Sequence, residues 1–440
     1  MKINYKIFSI HNYYLLSCSI YILLYIFITP PFYVADEYAH FQKSSSNENI
    51  YLRGPLNIDS GIKRFADDFE YKAYKKWKVD RDIKYSKNFI KENVDNYKLQ
   101  YTLVPSNLAS LTGYPVTGYL VSKTINNITK KITDRVTIIF YSGRIANYIV
   151  CLLISYFAIK IVSGGKNYLF IVLSMPMTLT LFGSYNQDAI LFAYTLLIII
   201  FSNQIMNENQ KNLREIYLLL IQLFCFLLVI GRPTYIAFFL LPILLINNFS
   251  SNKLKQILFL FCLVFLSLKF ILTYNTPIPS NPINLPGDLL KITLIILSDI
   301  YVHFLKYMGL MIGGLGRIDL IVNKFIIIFI FLGLLLFFFG ELNFKKITSI
   351  FNFSIIIIFI LTFLFTQIAQ YIYFTEPGRT EFIQGVQGRY FIPIFLLISL
   401  LLNKKNKLVD KRYNLIKKII VYAMPHLNVF VLYKYHNFFY

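Results

Sequence analysis

The stretch Pro30-Pro31-Phe32-Tyr33-Val34-Ala35-Asp36-Glu37-Tyr38-Ala39-His40-Phe41 directly follows an apolar run from Tyr13 to Ile28. Thr29 precedes a proline and is biased away from the α region. Pro31 cannot continue a helical hydrogen-bond ladder, so the first helix ends here. Two adjacent carboxylates, Asp36 and Glu37, and then His40 lie where an apolar span meets water. If Ala35 to Gln42 forms a short helix, Asp36 and His40 share a face. Carboxylate plus imidazole can act as a general base or hold a metal. Asp36, Glu37 and His40 are therefore the candidate catalytic set and a candidate metal-ligand set. The plain alternative is a solvated loop start.

Working outward, the 440 residues are 56% hydrophobic and only 15% charged, and apolar runs long enough to cross a bilayer recur. This is the composition of a polytopic membrane protein. The formal net charge is +22, but no basic stretch forms a domain of its own, which argues against a nucleic-acid partner. Much of the excess lies in short loops between spans, where the positive-inside rule puts it. Cys18, Cys151, Cys225 and Cys262 all fall inside apolar runs, with no disulfide or metal spacing, and read as small core residues. Lys2, Lys6 and the first apolar run resemble a signal peptide. Tyr33-Val34-Ala35 is a poor cleavage site, so the expectation is an uncleaved first helix.

The expected fold is an all-α polytopic membrane protein forming a single integral membrane domain over 1–440. About eleven spans (ten to twelve) are expected, near 13–31, 138–162, 168–183, 189–206, 216–230, 234–248, 257–274, 320–340, 350–373, 389–403 and 414–433. With the N-terminus inside, the inner loops carry Lys160 and Lys166, Lys211 and Arg214, Lys253 and Lys255, Lys345 and Lys346. The last inner loop, Lys404 to Lys418, holds seven basic residues. This parity requires a break at Gly231-Arg232-Pro233, which a proline inside a helix would supply.

Segment 33–135 is a large first extracytoplasmic loop in this topology. It is too long for a bare connection and should hold short interfacial helices. A second outer segment, 275–317, begins with a proline-rich loop. Its apolar part is interrupted by Lys291, Asp299, His303 and Lys306 and reads as a re-entrant or interfacial helix, with a twelfth span left open. Gly313-Gly314-Leu315-Gly316 lacks the context of a phosphate-binding loop.

On this topology the membrane-edge charges gather on the outer side. Asp36, Glu37 and His40 follow span one, and Arg144 lies about two turns into span two. Asp188 is in the turn Ser184-Tyr185-Asn186-Gln187-Asp188, and Arg232 is in the break between spans five and six. Arg379 and Glu381 are in the loop before span ten, which opens with Gln387-Gly388-Arg389-Tyr390. A charge at mid-bilayer costs roughly 2.5–3.5 kcal/mol, so such residues are functional candidates unless they snorkel or cap helices. Arginines opposite carboxylates suit an anionic ligand, because guanidinium holds phosphate with paired donors. Arg144, Asp188, Arg232, Gln387, Arg389 and Tyr390 are therefore the candidate lipid-phosphate site.

The segments PPFYVADEYAHF, GYPVTGYL, FYSGRIANY, SYNQDA, GRPTY and GVQGRYFIPI occur in an order that resembles one bacterial family of predicted membrane proteins, domain of unknown function 2142. The resemblance runs from about Pro30 to Leu402. That family in turn resembles the C-type glycosyltransferase fold of protein O-mannosyltransferases and aminoarabinose transferases. Those enzymes take a sugar from a polyprenyl or dolichyl phosphate and carry an acidic motif in the first outer loop. Asp36-Glu37 match that position, and the resemblance implies the acidic catalytic role for these two residues.

The resemblance implies an inverting membrane glycosyltransferase at the outer face of the bacterial cytoplasmic membrane. Its partners would be a polyprenyl-phosphate-linked sugar and a glycan or lipid acceptor among the membrane lipids. A divalent metal, Mg or Mn, stays open as a cofactor. Two other readings stay open: a polymerase of lipid-linked oligosaccharide repeats, and a non-enzymatic transporter or flippase. The polymerase would carry its large loop later in the chain. The transporter would show charges near the midplane and internal repeats.

Overall fold

Long helices that are apolar around most of their circumference need protein on one side and lipid on the other. The computed structural model describes residues 9–46, 57–106, 116–272, 289–342, 350–376, 382–402 and 411–440. Eight of its helices are long and apolar enough to cross a membrane. Their outward faces carry large exposed apolar side chains such as Leu16, Phe157, Phe325 and Phe353. The chain is a multi-pass, mainly helical membrane protein.

Helix α1 (Ile10–Ile28) stops at Thr29, as the two prolines require. The segment 33–135 then holds α2 (Glu37–Ser45), strand β1 (Asn57–Asp59), α3 (Ser60–Lys78), α4 (Phe89–Asn93), strand β2 (Leu103–Pro105) and α5 (Leu120–Thr129). Its described residues form folded structure, not a bare loop. α3 buries Ile62, Phe65, Ala66, Phe69 and Ala73 at helical spacing. β1 and β2 pair antiparallel, Ile58 opposite Val104. Asp59 ties the two together by capping α3 at Gly61 and Ile62 and accepting from the backbone N–H groups of Gln100 and Tyr101.

The chain then enters α6 (Val136–Ile161), α7 (Lys166–Ser174) and α8 (Pro176–Phe182). The last two were expected as one span. Met175 is extended before Pro176 and divides it, an effect of the residue before a proline. α9 (Gln187–Asn207) has 78% of its apolar window buried, against 28–50% in the other seven candidate spans, so it is the central helix.

α10 (Lys211–Gly231) ends where the sequence required, at Arg232-Pro233. A 3₁₀ stretch, Pro233–Phe239, leads into α11 (Leu240–Phe249). There follow α12 (Lys253–Leu272), α13 (Leu289–Gly313), a small hairpin of β3 (Gly314–Leu315) and β4 (Leu320–Ile321), α14 (Lys324–Glu341) and α15 (Ile350–Phe374). A 3₁₀ turn at Gly388–Phe391 opens α16 (Ile392–Leu397), and α17 (Lys411–Phe439) closes the fold.

α13 is a helix, as the sequence reading expects. The charges at Lys291, Asp299, His303 and Lys306 do not interrupt it, and it has the length and composition of the additional span that the sequence left open. Asp299 is buried inside it because the Tyr307 hydroxyl donates to one carboxylate oxygen at 2.6 Å and the Ile383 N–H to the other at 2.9 Å. Its C-terminal end and the hairpin after it lie beside the turn that follows α1, where the Ala35 N–H donates to the Gly316 carbonyl.

The free cysteines Cys18, Cys151 and Cys225 are buried, and Cys262 is exposed.

Candidate functional site

The turn after α1 carries two non-glycine residues in left-handed backbone, Phe32 (φ 63°) and Asp36 (φ 64°). Asp is among the few residues that tolerate this region. The turn is held from below by Arg144 of α6, which is wholly buried and donates to the carbonyls of Ile26, Thr29 and Pro30. Its Nε and Nη2 make a forked pair with Glu37 at 2.8 and 2.6 Å. All five guanidinium donors are thus engaged within the protein. Glu37 is equally buried and also accepts from the N–H groups of Phe32 and Tyr185. The packing of α6 against this turn depends on Gly143. A Cβ there would lie 2.0 Å from the Tyr185 hydroxyl, which bonds Asn126 at 2.9 Å.

Asp36 faces the other way, since neighbouring residues at a helix start diverge by about 100°. Its carboxylate is bonded by Nη2 of Arg389. Nε of Arg389 lies 3.0 Å from Oδ2 of Asp188, with no hydrogen bond between them, so that attraction is purely one of charge. Oδ1 of Asp188 accepts from Nη2 of Arg232 at 2.6 Å. The result is a ladder, Asp36–Arg389–Asp188–Arg232, drawn from the α1–α2 turn, the opening of α16, the start of α9 and the α10 break. Asn186 caps α9 through the Asp188 N–H and donates its side-chain amide to the Ala35 carbonyl, which fixes the ladder to the turn.

The ladder is exposed at its Asp36 end and buried at its centre. The Asp36 side chain is 52% exposed, Arg389 3%, Asp188 1% and Arg232 15%. Desolvation is the largest influence on Asp36 and would raise its pKa, but the charge and hydrogen bond of Arg389, with His40 and Arg232, together outweigh it and hold the carboxyl below its ordinary value. The Arg232 guanidinium stacks over Tyr390 at 3.9 Å, and the Tyr235 hydroxyl anchors the Tyr390 carbonyl at 2.9 Å. Arg389 and Gln387 line a narrow crevice with Ala35, Gly316 and Gly388. Its free space, about 10 Å³, suits about one water. Gly388 is required by close approach, since a Cβ would sit 2.1 Å from the Met311 nitrogen.

His40 does not join Asp36 and Glu37 in one ligand set. Its Nδ1 meets the Tyr119 hydroxyl at 2.6 Å, and its ring packs against that tyrosine. The three residues turn to three different partners, and among the described residues no group of three or more His, Cys, Asp or Glu side chains is arranged for a metal.

Burial lowers the His40 pKa from 6.5 to about 4 despite the nearby carboxylates. The unfolded chain therefore binds the extra proton first as pH falls. His40 contributes stability that is fully present above pH 6.5 and is lost as pH drops toward 4, at most about 3 kcal/mol. In detergent extracts the thermal midpoint should fall across that window. His40→Gln should flatten this part of the curve, and an unchanged curve in the variant would remove His40 as its origin.

The structure thus brings Asp36, Asp188, Arg232, Arg389 and Tyr390 together, with Gln387 at the crevice. It sets Arg144 and Glu37 apart as an internal clamp. Arg379 and Glu381 lie outside the described residues. Sequence reasoning missed Tyr119, although GYPVTGYL was noted for its aromatic turn. It also missed the contribution of the hairpin. Arg317 pairs with Glu70 and donates to the Phe32 carbonyl at 3.1 Å, and Asp319 accepts from the Tyr33 hydroxyl.

A family model described as predicted membrane protein, DUF2142, matches residues 19–398. The chain belongs to that family. Its matched region takes in the clamp, the ladder and the crevice. No curated protein and no solved structure matches the chain.

Proposed function

We propose that this protein is an inverting glycosyltransferase of the bacterial cytoplasmic membrane, with its N-terminus inside and the Asp36 ladder at the outer face. The donor is a sugar on a polyprenyl phosphate and the acceptor is a hydroxyl of a surface glycan or lipid. The observation that carries this reading is the Asp36–Arg389 pair, an exposed carboxylate held by a buried guanidinium beside the crevice lined by Gln387 and Arg389.

Asp36 takes the proton of the acceptor hydroxyl as its oxygen attacks the anomeric carbon. The bond from that carbon to the phosphate oxygen breaks, and polyprenyl phosphate leaves with one more negative charge. Arg389 meets that charge, with Arg232 one step behind it across Asp188. The narrow crevice must open to admit the sugar, as loops and lids do in many enzymes.

The test is transfer of labelled sugar from undecaprenyl phosphate by membranes containing the protein. Arg389→Ala should lower transfer by about 10²–10³ at matched abundance, the value of one well-placed charge donor. Arg389→Lys should recover part of it, because charge returns without the paired-donor geometry. Full transfer by Arg389→Ala would overturn the assignment.

A further inference from the structure

At the membrane edge opposite the ladder, the beginnings of α1, α7 and α17 enclose a second cavity of about 330 Å³. That it is the opposite edge follows from the helix ends. α1 finishes at the turn bearing Asp36, and the last turn of α17 packs on that turn through Phe439 against Tyr33. The lining is amphipathic. Ile10 and Val421 supply apolar wall, Tyr13 and Tyr422 supply aromatic rings, and Asn167, Asn414, Lys417 and Lys418 supply polar groups.

The charge at this cavity is unequal. Glu341, which does not line it, accepts from Asn167 at 2.7 Å and from Lys417 at 3.0 Å, so Lys417 is largely matched. Lys418 is exposed and has no salt bridge among the described residues. Lys166 opens α7 beside Asn167, and the sequence from Lys404 to Lys418 carries seven basic residues against one acidic. Aromatic rings beside lysines, at the ends of membrane-crossing helices, match the level of lipid headgroups. The volume lies in the range of ligand pockets.

We infer that this cavity binds the headgroup of an anionic phospholipid from the adjacent leaflet, with the phosphodiester on Lys418 and the amides of Asn167 and Asn414, and the glycerol ester region against Val421 and Ile10. A membrane lipid suits the site better than a soluble phosphate because apolar wall and cation share one cavity between crossing helices. Basic pockets between spans take such headgroups elsewhere, and each lysine near the surface strengthens anionic-lipid binding about fivefold. The inference is independent of the reaction proposed for the ladder.

Native mass spectrometry of the full chain in detergent, titrated with phosphatidylglycerol or phosphatidylcholine, tests it. Phosphatidylglycerol should bind tighter than phosphatidylcholine. Lys418→Gln should weaken it about fivefold, and Asn414→Trp should weaken it by filling the cavity. Lys253→Gln, an exposed lysine at the start of α12, should leave it unchanged. Glycerol phosphate should not displace the lipid. Equal binding of the two lipids, wild-type affinity in both cavity variants, an equal loss in Lys253→Gln, or ready displacement by glycerol phosphate would each overturn the proposal.

Discussion

Asp36→Asn is expected to lower sugar transfer by about 10²–10⁴-fold, the range of a lost general base, while the protein accumulates in membranes at wild-type abundance. Asparagine is the substitution that isolates the chemistry. It keeps the size of the side chain, and like aspartate it tolerates the left-handed backbone that Asp36 adopts at φ 64°. Because Asp36 is half exposed, its replacement leaves no large cavity and strands no deeply buried charge. Arg389 retains Asp188 at 3.0 Å, so its guanidinium is not left wholly without an anion. The depressed pKa gives a second readout. At low donor concentration, where the resting protein sets the acid limb, wild-type transfer should hold across neutral and mildly acidic pH, and the loss attributable to Asp36 should begin only below the ordinary carboxylate range. The measurement is labelled-sugar transfer at matched protein amounts. Full activity in Asp36→Asn would remove the base from the proposed mechanism, and a transporter would then become the leading reading.

Glu37→Ala should act quite differently, destabilising the protein by about 3–5 kcal/mol, the cost of breaking a buried ion pair from one side. Arg144 would keep its three backbone carbonyls but lose both bonds to a carboxylate in a site without water access. Arg144→Met should be at least as damaging, because the carbonyls of Ile26, Thr29 and Pro30 would lose the donors that hold the turn. Replacing both residues by apolar ones should cost less than the sum of the single changes, since no charge is then stranded. Thermal midpoints in detergent extracts would measure this. A Glu37→Ala protein as stable as wild type but inactive would return Glu37 to the chemistry and refute its role as a clamp.

The sequence made the punctuation of the fold readable where proline supplied it. The stop after Ile28 and the break at Arg232 both follow from backbone chemistry that any reader of the chain can apply. The division at Met175 follows the same rule but was hidden by a continuous apolar run. For α13 the sequence reads as a helix but favours an interfacial one, because Asp299 looks like an interruption until the Ile383 N–H and the Tyr307 hydroxyl, distant or out of sight in a linear reading, are seen to satisfy it.

At the site, residue type and membrane depth were enough to gather Asp36, Asp188, Arg232 and Arg389. They could not separate Glu37 from Asp36. The partner that claims Glu37 stands 107 positions away in the chain, and nothing local in the sequence marks that pairing. The grouping of His40 with the two acids failed for a related reason, since its ring is taken by Tyr119, 79 positions on.

The bond between Asp36 and Arg389 has a consequence for timing. On the proposed reading, the carboxylate occupies the guanidinium that the departing phosphate needs, so the resting protein carries its own imitation of the ligand. An incoming donor must displace Asp36 before it can engage Arg389. The displaced carboxylate, no longer neutralised at close range, becomes more basic at the moment the sugar arrives. Before that moment it is a poor proton acceptor, and water in the crevice finds no activated base. Such an arrangement would make the arrival of the donor the trigger for the acceptor's deprotonation and protect a scarce lipid-linked sugar from hydrolysis.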